Sequence, residues 1–194
     1  MKLDTLEEGF GKFDVVLSDP PWPYFGDPNK MGAAGKHYDL MDEEDIFNLP
    51  VKKLFRDPKH AAVFVWATCP KLDLAVEAIR RWGFHFRGVP FIWVKTRKDG
   101  AIKGAQGVAP TAVKPITEMI LLGTGTAKGR PFPLLNFKAR QVILAPVGEH
   151  SAKPAIFHQE ITSLYGPRPS LEMFSRRSVD GWDRWGNEAP KEQG

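Results

Sequence analysis

The sequence has one cysteine and no long apolar run, and both absences narrow the classes of protein to which it can belong. Cys69 cannot form a disulfide within the chain or build a cysteine-based zinc site. The five histidines fall at no spacing typical of metal ligands, so we expect no bound metal. No apolar run is long enough to span a membrane, and the amino-terminal residues lack the pattern of a signal peptide. These features predict a cytoplasmic protein.

The size and charge of the chain suit one domain with a basic middle. Its 194 residues are 42% hydrophobic, and no repeat or linker divides them, so we expect a single domain over residues 1–194. The net charge of +4 is unevenly spread. Residues 71–153 hold 14 basic and 5 acidic side chains, whereas residues 1–60 hold 8 and 12. A polyanion-binding surface requires such a basic segment, although a solvated basic surface explains it equally well.

Short apolar runs alternate with segments of helical period along the chain. Strands are predicted at 13–19, 60–67, 84–95, 116–124, 139–146 and 170–175, the last of which is followed only by a loop. Helices are predicted at 42–48, at 70–82 and from Pro154 to about Tyr165, and a long polar loop at 96–114. This alternation predicts an α/β fold with helices on both faces of a sheet. Ligands in such folds bind where the strands end.

The motif Asp19-Pro20-Pro21-Trp22 follows directly on the first predicted strand. Proline fixes the backbone and lacks an N–H, so the motif offers carbonyl oxygens and one carboxylate but few donors. Such a cluster suits a flat group that carries an NH2, and the indole can stack on a base. Two acceptors on the amine of adenine favour the pyramidal form, whose lone pair can attack a methyl sulfonium. A rigid turn with a core tryptophan is the alternative interpretation.

Several motifs in the same order resemble the MT-A family of adenine N6-methyltransferases. The resemblance runs from FDVVLSDPPW at 13–22 to WGNE at 185–188, and it includes HSAKP at 150–154 and LEMFSRRSVDGWDRWGNE at 171–188. It implies a Rossmann-like fold with a mostly parallel sheet and a permuted order of motifs. It also implies S-adenosylmethionine as the cofactor and the N6 amino group of adenine in a nucleic acid as the target.

The resemblance assigns roles to individual residues. Asp19-Pro20-Pro21-Trp22 would be the catalytic motif, in which Asp19 and the Pro20 carbonyl hold the target amine and Trp22 lines the base pocket. The implied cofactor-binding residues are Asp19, Lys153, Arg176, Asn187 and Glu188. Lys153 suits the methionine carboxylate, and the last two suit ribose hydroxyls. Glu118 matches a family glutamate at the start of a strand, where a purely structural role is the alternative.

The remaining candidates concern the nucleic acid. Tyr38 is the isolated aromatic residue expected to contact the base, whereas Trp66 is expected in the core. The basic residues expected to contact phosphates are Lys95, Arg97, Lys98 and Lys103, which lie on the predicted loop with only Asp99 opposing them. The segment GTGTAKG at 123–129 lacks the spacing of a phosphate-binding loop, so it is interpreted as a turn.

Three points about function stay open at the level of sequence. DNA is favoured over RNA because the chain is small and its carboxy-terminal pattern is bacterial-like. An RNA adenosine N6-methyltransferase, a catalytically inactive nucleic-acid-binding subunit and a methyltransferase for another amino group are the alternatives. The chain has little dedicated recognition surface, so we expect relaxed specificity, a homodimer or a partner subunit.

Overall fold

The computed structural model describes residues 1–22, 41–104, 112–148 and 152–187, and these contain one eight-stranded sheet. The strands are β1 (Lys2–Leu3), β2 (Val15–Ser18), β3 (Ala62–Thr68), β4 (His85–Thr96), β5 (Thr117–Thr124), β6 (Val142–Pro146), β7 (Ser170–Met173) and β8 (Trp182–Trp185). The helices are α1 (Glu43–Phe47), α2 (Leu72–Arg81) and α3 (Ile156–Tyr165).

The sheet is mostly parallel, as predicted. Its strand order is β1-β8-β7-β2-β3-β5-β4-β6. Every neighbouring pair is parallel except the two that β5 makes, with β3 and with β4. Strands β2, β3, β4, β6 and β7 therefore end at one edge of the sheet, and β5 begins there. We call this the carboxyl edge, and it is where ligands are expected in α/β folds.

Helices cover both faces of the sheet, which confirms the predicted α/β architecture. Helix α2 buries Ala75, Ala78 and Ile79, whose spacing of three and four residues places them on one side of the helix. Helix α3 buries Phe157 and Ile161 by the same spacing and packs on the opposite face of the sheet. Two hydrophobic clusters result, one beneath each helix.

Strand β2 shows why the centre of the sheet has an uninterrupted apolar sequence. Val16 belongs to the cluster beneath α2, whereas Val15 and Leu17 belong to the cluster beneath α3. Side chains alternate between the two faces of a strand, and here both faces are covered. A continuous apolar run therefore identifies a strand at the middle of the sheet.

The structure corrects two predictions at the level of secondary structure. The strand at 170–175 is not the last, because β8 follows it and pairs with β7 in parallel. Strand β8 contains two charged residues among four, so it lacks the apolar run by which the others are recognised. The predicted loop at 96–114 begins one residue later than expected, since β4 extends to Thr96.

Within these ranges, no helix combines the length and apolarity needed to cross a membrane. In the same parts of the chain, no three His, Cys, Asp or Glu side chains cluster so as to hold a metal ion.

Candidate active site

The motif that follows β2 turns sharply at the carboxyl edge. The Pro20 carbonyl accepts a hydrogen bond from the Trp22 N–H at 2.8 Å. The indole of Trp22 is only 5% exposed and packs in the cluster beneath α2, where its Nε1 donates to the Trp66 carbonyl at 3.1 Å. The tryptophan thus anchors the turn in the core, while the Asp19 side chain remains at the edge of the sheet.

Four charged side chains of alternating sign form a row at the carboxyl edge. Lys95 Nζ lies 2.6 Å from Glu118 Oε1, and Lys153 Nζ lies 3.3 Å from Glu118 Oε2. Lys153 Nζ also donates to both carboxylate oxygens of Asp19, at 2.9 and 2.8 Å. Three of these residues lie at strand ends and Lys153 precedes α3, so the topology of the sheet brings them together. We call Lys95, Glu118, Lys153 and Asp19 the charged row.

Two buried tryptophans support the charged row from below. Lys153 Nζ lies 5.4 Å from the ring centroid of Trp66, and Lys95 Nζ lies 5.2 Å from that of Trp93. The two indoles meet edge to face at 6.2 Å, and each is at most 2% exposed. Ammonium groups are attracted to such ring faces, especially where little water competes. Trp66 is therefore a core residue, as predicted.

Mutual attraction keeps the buried members of the charged row ionised. Burial alone would lower the pKa of Lys153, but the charges of Asp19 and Glu118 outweigh it and raise that pKa above its ordinary value. Burial alone would raise the pKa of Glu118, but Lys153 and then Lys95 lower it below its ordinary value. Lys153 and Glu118 therefore stay charged across the neutral pH range.

A small pocket opens beside Asp19 and carries charges of both signs. Its lining is Asp19, Ala152, Lys153, Glu172, Phe174, Arg176 and Arg177. Glu172 belongs to β7, one strand away from β2, and is 7% exposed. Burial by itself would raise the pKa of Glu172, but contacts with His158, Ser175 and Arg177 lower it. The pocket thus offers two carboxylates together with an ammonium and two guanidinium groups.

The sequence interpretation missed Glu172 and the residues that hold it. Ser175 Oγ donates to Glu172 Oε2 at 2.8 Å. His158, which is 1% exposed, places Nε2 at 3.2 Å from the same oxygen, close but poorly aligned for a hydrogen bond. The His158 and Trp182 rings meet edge to face, with their centroids 5.0 Å apart. The only sequence signal for Glu172 was a carboxylate inside an otherwise uncharged strand, SLEM, which is buried throughout.

The structure brings some of the sequence-predicted residues together and separates others. Asp19, Lys153 and Arg176 line one pocket, and Lys95 belongs to the charged row rather than to a loop. Asn187 is exposed beyond β8, and it is not among the residues that line this pocket. Tyr38 and Glu188 lie outside the described residues.

The other three predicted phosphate contacts, Arg97, Lys98 and Lys103, lie beyond β4. Arg97 pairs with Asp99 at 2.9 Å, and the N–H of Gly100 closes a turn onto the Arg97 carbonyl. Lys98 is exposed at the tip of that turn, and the N–H of Lys103 returns to the Lys95 carbonyl. Their contact with phosphates stays a prediction.

Comparison with known proteins identifies the family. The MT-A70 family matches residues 13–188. The chain is 28% identical to the type II methyltransferase M.MunI of Mycoplasma sp, over 97% of this chain and 85% of that protein. It is 30% identical to an N(6)-adenosine-methyltransferase MT-A70-like protein of Arabidopsis thaliana, over 92% of this chain and 24% of that protein. It is also 30% identical to MTB of Arabidopsis thaliana, an N6-adenosine-methyltransferase non-catalytic subunit, over 63% of this chain and 15% of that protein.

The mostly parallel sheet, with its charged pocket at the carboxyl edge, is the Rossmann-like fold of S-adenosylmethionine-dependent methyltransferases. The chain belongs to the MT-A70 family of such proteins. It spans most of the length of M.MunI and about a quarter of the length of the Arabidopsis MT-A70-like protein.

Proposed function

We propose that this chain transfers a methyl group from S-adenosylmethionine to the N6 amino group of adenine in a nucleic acid. The observation that carries the proposal is the Asp19 carboxylate, which Lys153 orients through both oxygens at the mouth of a pocket with charges of both signs. Membership of the MT-A70 family supports the same activity.

The residues around the pocket fit S-adenosylmethionine. The methionine part of this cofactor carries an ammonium and a carboxylate, and its sulfonium adds a second positive charge. Glu172 and Asp19 provide acceptors for the positive groups, and Arg176 and Arg177 provide donors for the carboxylate. Lys153 already contacts Asp19 and Glu118 through three N–O pairs. We therefore assign to Lys153 mainly the orientation of Asp19, rather than the methionine carboxylate.

The protein's chemical work is to position the target amine. When bound, S-adenosylmethionine supplies an electrophilic methyl group. Asp19 accepts one N–H of adenine, and the Pro20 carbonyl accepts the other through the lone pair that the Trp22 N–H does not use. Holding reacting groups in near-attack geometry is worth up to about 7–11 kcal/mol. Because methylation makes the nitrogen cationic, its proton is lost afterwards and no strong base is needed.

A glycine beyond β8 fixes the segment that lines the pocket. Gly186 has φ +149, and a Cβ there would lie 2.9 Å from Phe174 Cα and 3.0 Å from Ser175 N. Phe174 itself has φ 59, an uncommon conformation for a bulky residue. Gly186→Ala is therefore expected to displace this segment, to lower the free energy of unfolding by about 1–3 kcal/mol and to weaken cofactor binding. Urea unfolding and calorimetry with S-adenosylmethionine measure the two effects.

Gly181→Ala is the matched control for that substitution. Gly181 also has positive φ, at +78, but a Cβ there meets nothing within 4 Å. The control should show the cost of backbone strain alone and leave cofactor binding unchanged. Equal binding by both variants would contradict the role given to the Phe174–Ser175 segment.

DNA is the polymer that we favour as substrate, and RNA is the alternative. The resemblance to M.MunI over most of its length supports a small enzyme in which this fold is the main part. Duplex DNA requires the target base to leave the stack, which costs a few kcal/mol. The chain offers little additional surface for recognition of the nucleic acid. We therefore expect a second copy or a partner subunit to contribute to it. The proposal covers both methylation at a defined target sequence and methylation with relaxed sequence specificity.

Nucleoside analysis tests the reaction and the polymer together. The protein is incubated with a labelled methyl donor and with either DNA or RNA, and the digested nucleosides are separated by mass spectrometry. We expect N6-methyladenine from DNA. Label on N6-methyladenosine from RNA alone would overturn the preference for DNA, and label on cytosine or on protein would overturn the adenine assignment.

A non-catalytic subunit is the second candidate function, since one relative, MTB, has that description. The chain has both Asp19 and Lys153, and the two side chains are in contact, which favours an active enzyme. Calorimetry with S-adenosylmethionine separates the two candidates, because an inactive scaffold need not bind it. Absence of binding, together with absence of labelled product on either polymer, would favour the scaffold.

A further inference from the structure

A second concave surface lies at the edge of the sheet opposite the carboxyl edge. It is an open groove whose lining includes His60, Arg87, Arg130 and Phe132. Strand β3 begins near this groove and runs for seven residues to the carboxyl edge. At about 3.3 Å per residue, the groove is therefore roughly 20 Å from Asp19. It belongs to neither the charged row nor the pocket described above.

A break in strand pairing presents Arg87 at this groove. Phe86 pairs with Gly123 and Gly88 pairs with Leu122, so Arg87 is an extra residue between two consecutive partners. Such a bulge re-aims a side chain and is common near functional sites. Arg87 Nη1 donates to Thr124 Oγ1 at 3.3 Å and to the Thr126 carbonyl at 3.1 Å. Both acceptors are neutral, so they orient the guanidinium without cancelling its charge.

Arg130 reaches the groove from a segment that packs on the core. Gly129 before it has φ +78, and Pro131 after it has a fixed φ. Phe132 is 8% exposed and packs edge to face against Tyr165 at 5.5 Å. The backbone around Arg130 is thus tied to the core, although its side chain is exposed.

The positive charge of the groove is not neutralised within the described residues. No carboxylate there lies within ion-pair distance of Arg87 or Arg130. The nearby Asp57 contacts His60 at 2.8 Å rather than either arginine, and Asp14 is bound by Arg56 and Arg168. Burial raises the pKa of Tyr165, and the charges of Arg130 and Arg87 partly offset this. Both guanidinium groups therefore lie near enough to act on one buried hydroxyl.

We propose that this surface, the Arg87–Arg130 groove, binds a phosphate group. Guanidinium groups suit phosphate because their planar N–H donors match its oxygens in pairs. A carboxylate ligand would meet the same donors, but the excess of basic residues over 71–153 favours a polyanion. The bound phosphate group belongs either to a phosphodiester of a nucleic-acid strand or to a free phosphate compound.

The position of the groove makes a nucleic-acid strand the more informative source to test. One strand of a duplex advances 3.4 Å per base pair, so roughly 20 Å corresponds to about six base pairs from the target base. With the target adenine at its centre, a duplex of about eight base pairs extends only about four base pairs to each side of Asp19 and would not reach the groove, whereas one of about 24 would. Binding should therefore depend on length.

The test compares the double variant Arg87→Gln/Arg130→Gln, the single variant Arg130→Gln and the parent chain. The single variant guards against misfolding, since Arg87 contacts Thr124 and Thr126, whereas Arg130 makes no hydrogen bond or ion pair with the parts of the chain that the structure describes. Arg80→Gln is the control. Arg80 is exposed on α2, whereas Phe132 of the groove packs in the cluster beneath α3 on the opposite face of the sheet. Binding of the long and short duplexes is measured by fluorescence anisotropy at several salt concentrations. Binding of inorganic phosphate and pyrophosphate is measured by calorimetry.

If a nucleic-acid strand occupies the groove, the double variant should bind the long duplex about 10-fold more weakly and the short duplex normally. Its salt dependence should fall by about two units of slope, since each phosphate contact contributes about 0.9. If a free phosphate compound occupies it, pyrophosphate binding should be lost while duplex binding is unchanged. Parent-like behaviour of both variants with every probe overturns the proposal. Neither readout needs methyl transfer, so the outcome is independent of the catalytic assay.

Discussion

Asp19→Asn is expected to lower the rate of methyl transfer by about 100- to 1000-fold or more, while cofactor binding largely survives. The substitution keeps the shape of the side chain but replaces an anionic acceptor with a neutral amide, one end of which is a donor. Loss of a single preorganised electrostatic contact to the reacting group typically has an effect of this size. Single-turnover methylation measures the rate, and calorimetry with S-adenosylmethionine measures binding.

The same chemical change at the other end of β2 provides the control. Asp14 is buried and accepts hydrogen bonds from Arg56 at 2.9 and 2.6 Å and from Arg168 at 3.3 Å. Asp14→Asn should lower the free energy of unfolding without reducing the rate of the folded fraction. Full turnover by Asp19→Asn, or an equal loss of rate by Asp14→Asn, would show that Asp19 has no special chemical role.

Lys153→Met is expected to lower the free energy of unfolding by about 3–5 kcal/mol. The substitution leaves Asp19 and Glu118 near each other in a partly buried site without the ammonium that separates them. Removing one partner of a buried ion pair costs more than the pair itself contributes, because the remaining charge stays desolvated. Urea unfolding at neutral pH gives the value.

A second substitution separates charge from packing at this site. Glu118 keeps its contact with Lys95, so Asp19 is the carboxylate that loses its ion pair. In Lys153→Met/Asp19→Asn that group is neutral, so part of the lost stability should return. Lys98→Met is the exposed control and should change stability by less than about 0.5 kcal/mol. If the free energy of unfolding of Lys153→Met lies within about 1 kcal/mol of that of the parent chain, the charged row does not stabilise the carboxyl edge.

Much of the candidate site could be predicted because its signals are local. An apolar run followed by Asp19 identifies a central strand and a polar group at its end, whatever the order of the strands. The prolines at 20 and 21 act on their own backbone, so the turn could also be anticipated. Lys153 and Arg176 were assigned by resemblance, and both line the pocket.

Other features depend on contacts that no local pattern encodes. Lys153 meets Asp19 across 134 positions of sequence, and this pairing depends on the order of the strands in the sheet. Lys95 was interpreted as a phosphate contact, because nothing near it in sequence indicates that Glu118 lies beside it. Trp22 was predicted in the wall of the base pocket, and the structure packs most of its indole in the core. Its contact with a base stays a prediction.

The sequence by itself determined the class of fold, the strand that carries Asp19 and the edge of the sheet at which the site lies. These follow from hydrophobic runs and fixed backbone angles, which act over a few residues. Only the tertiary structure decided which side chains meet: Lys153 with Asp19 and Glu118, and His158 with Glu172. The physical reason is that electrostatic contacts and burial are properties of distance in space, and the crossovers between strands set those distances.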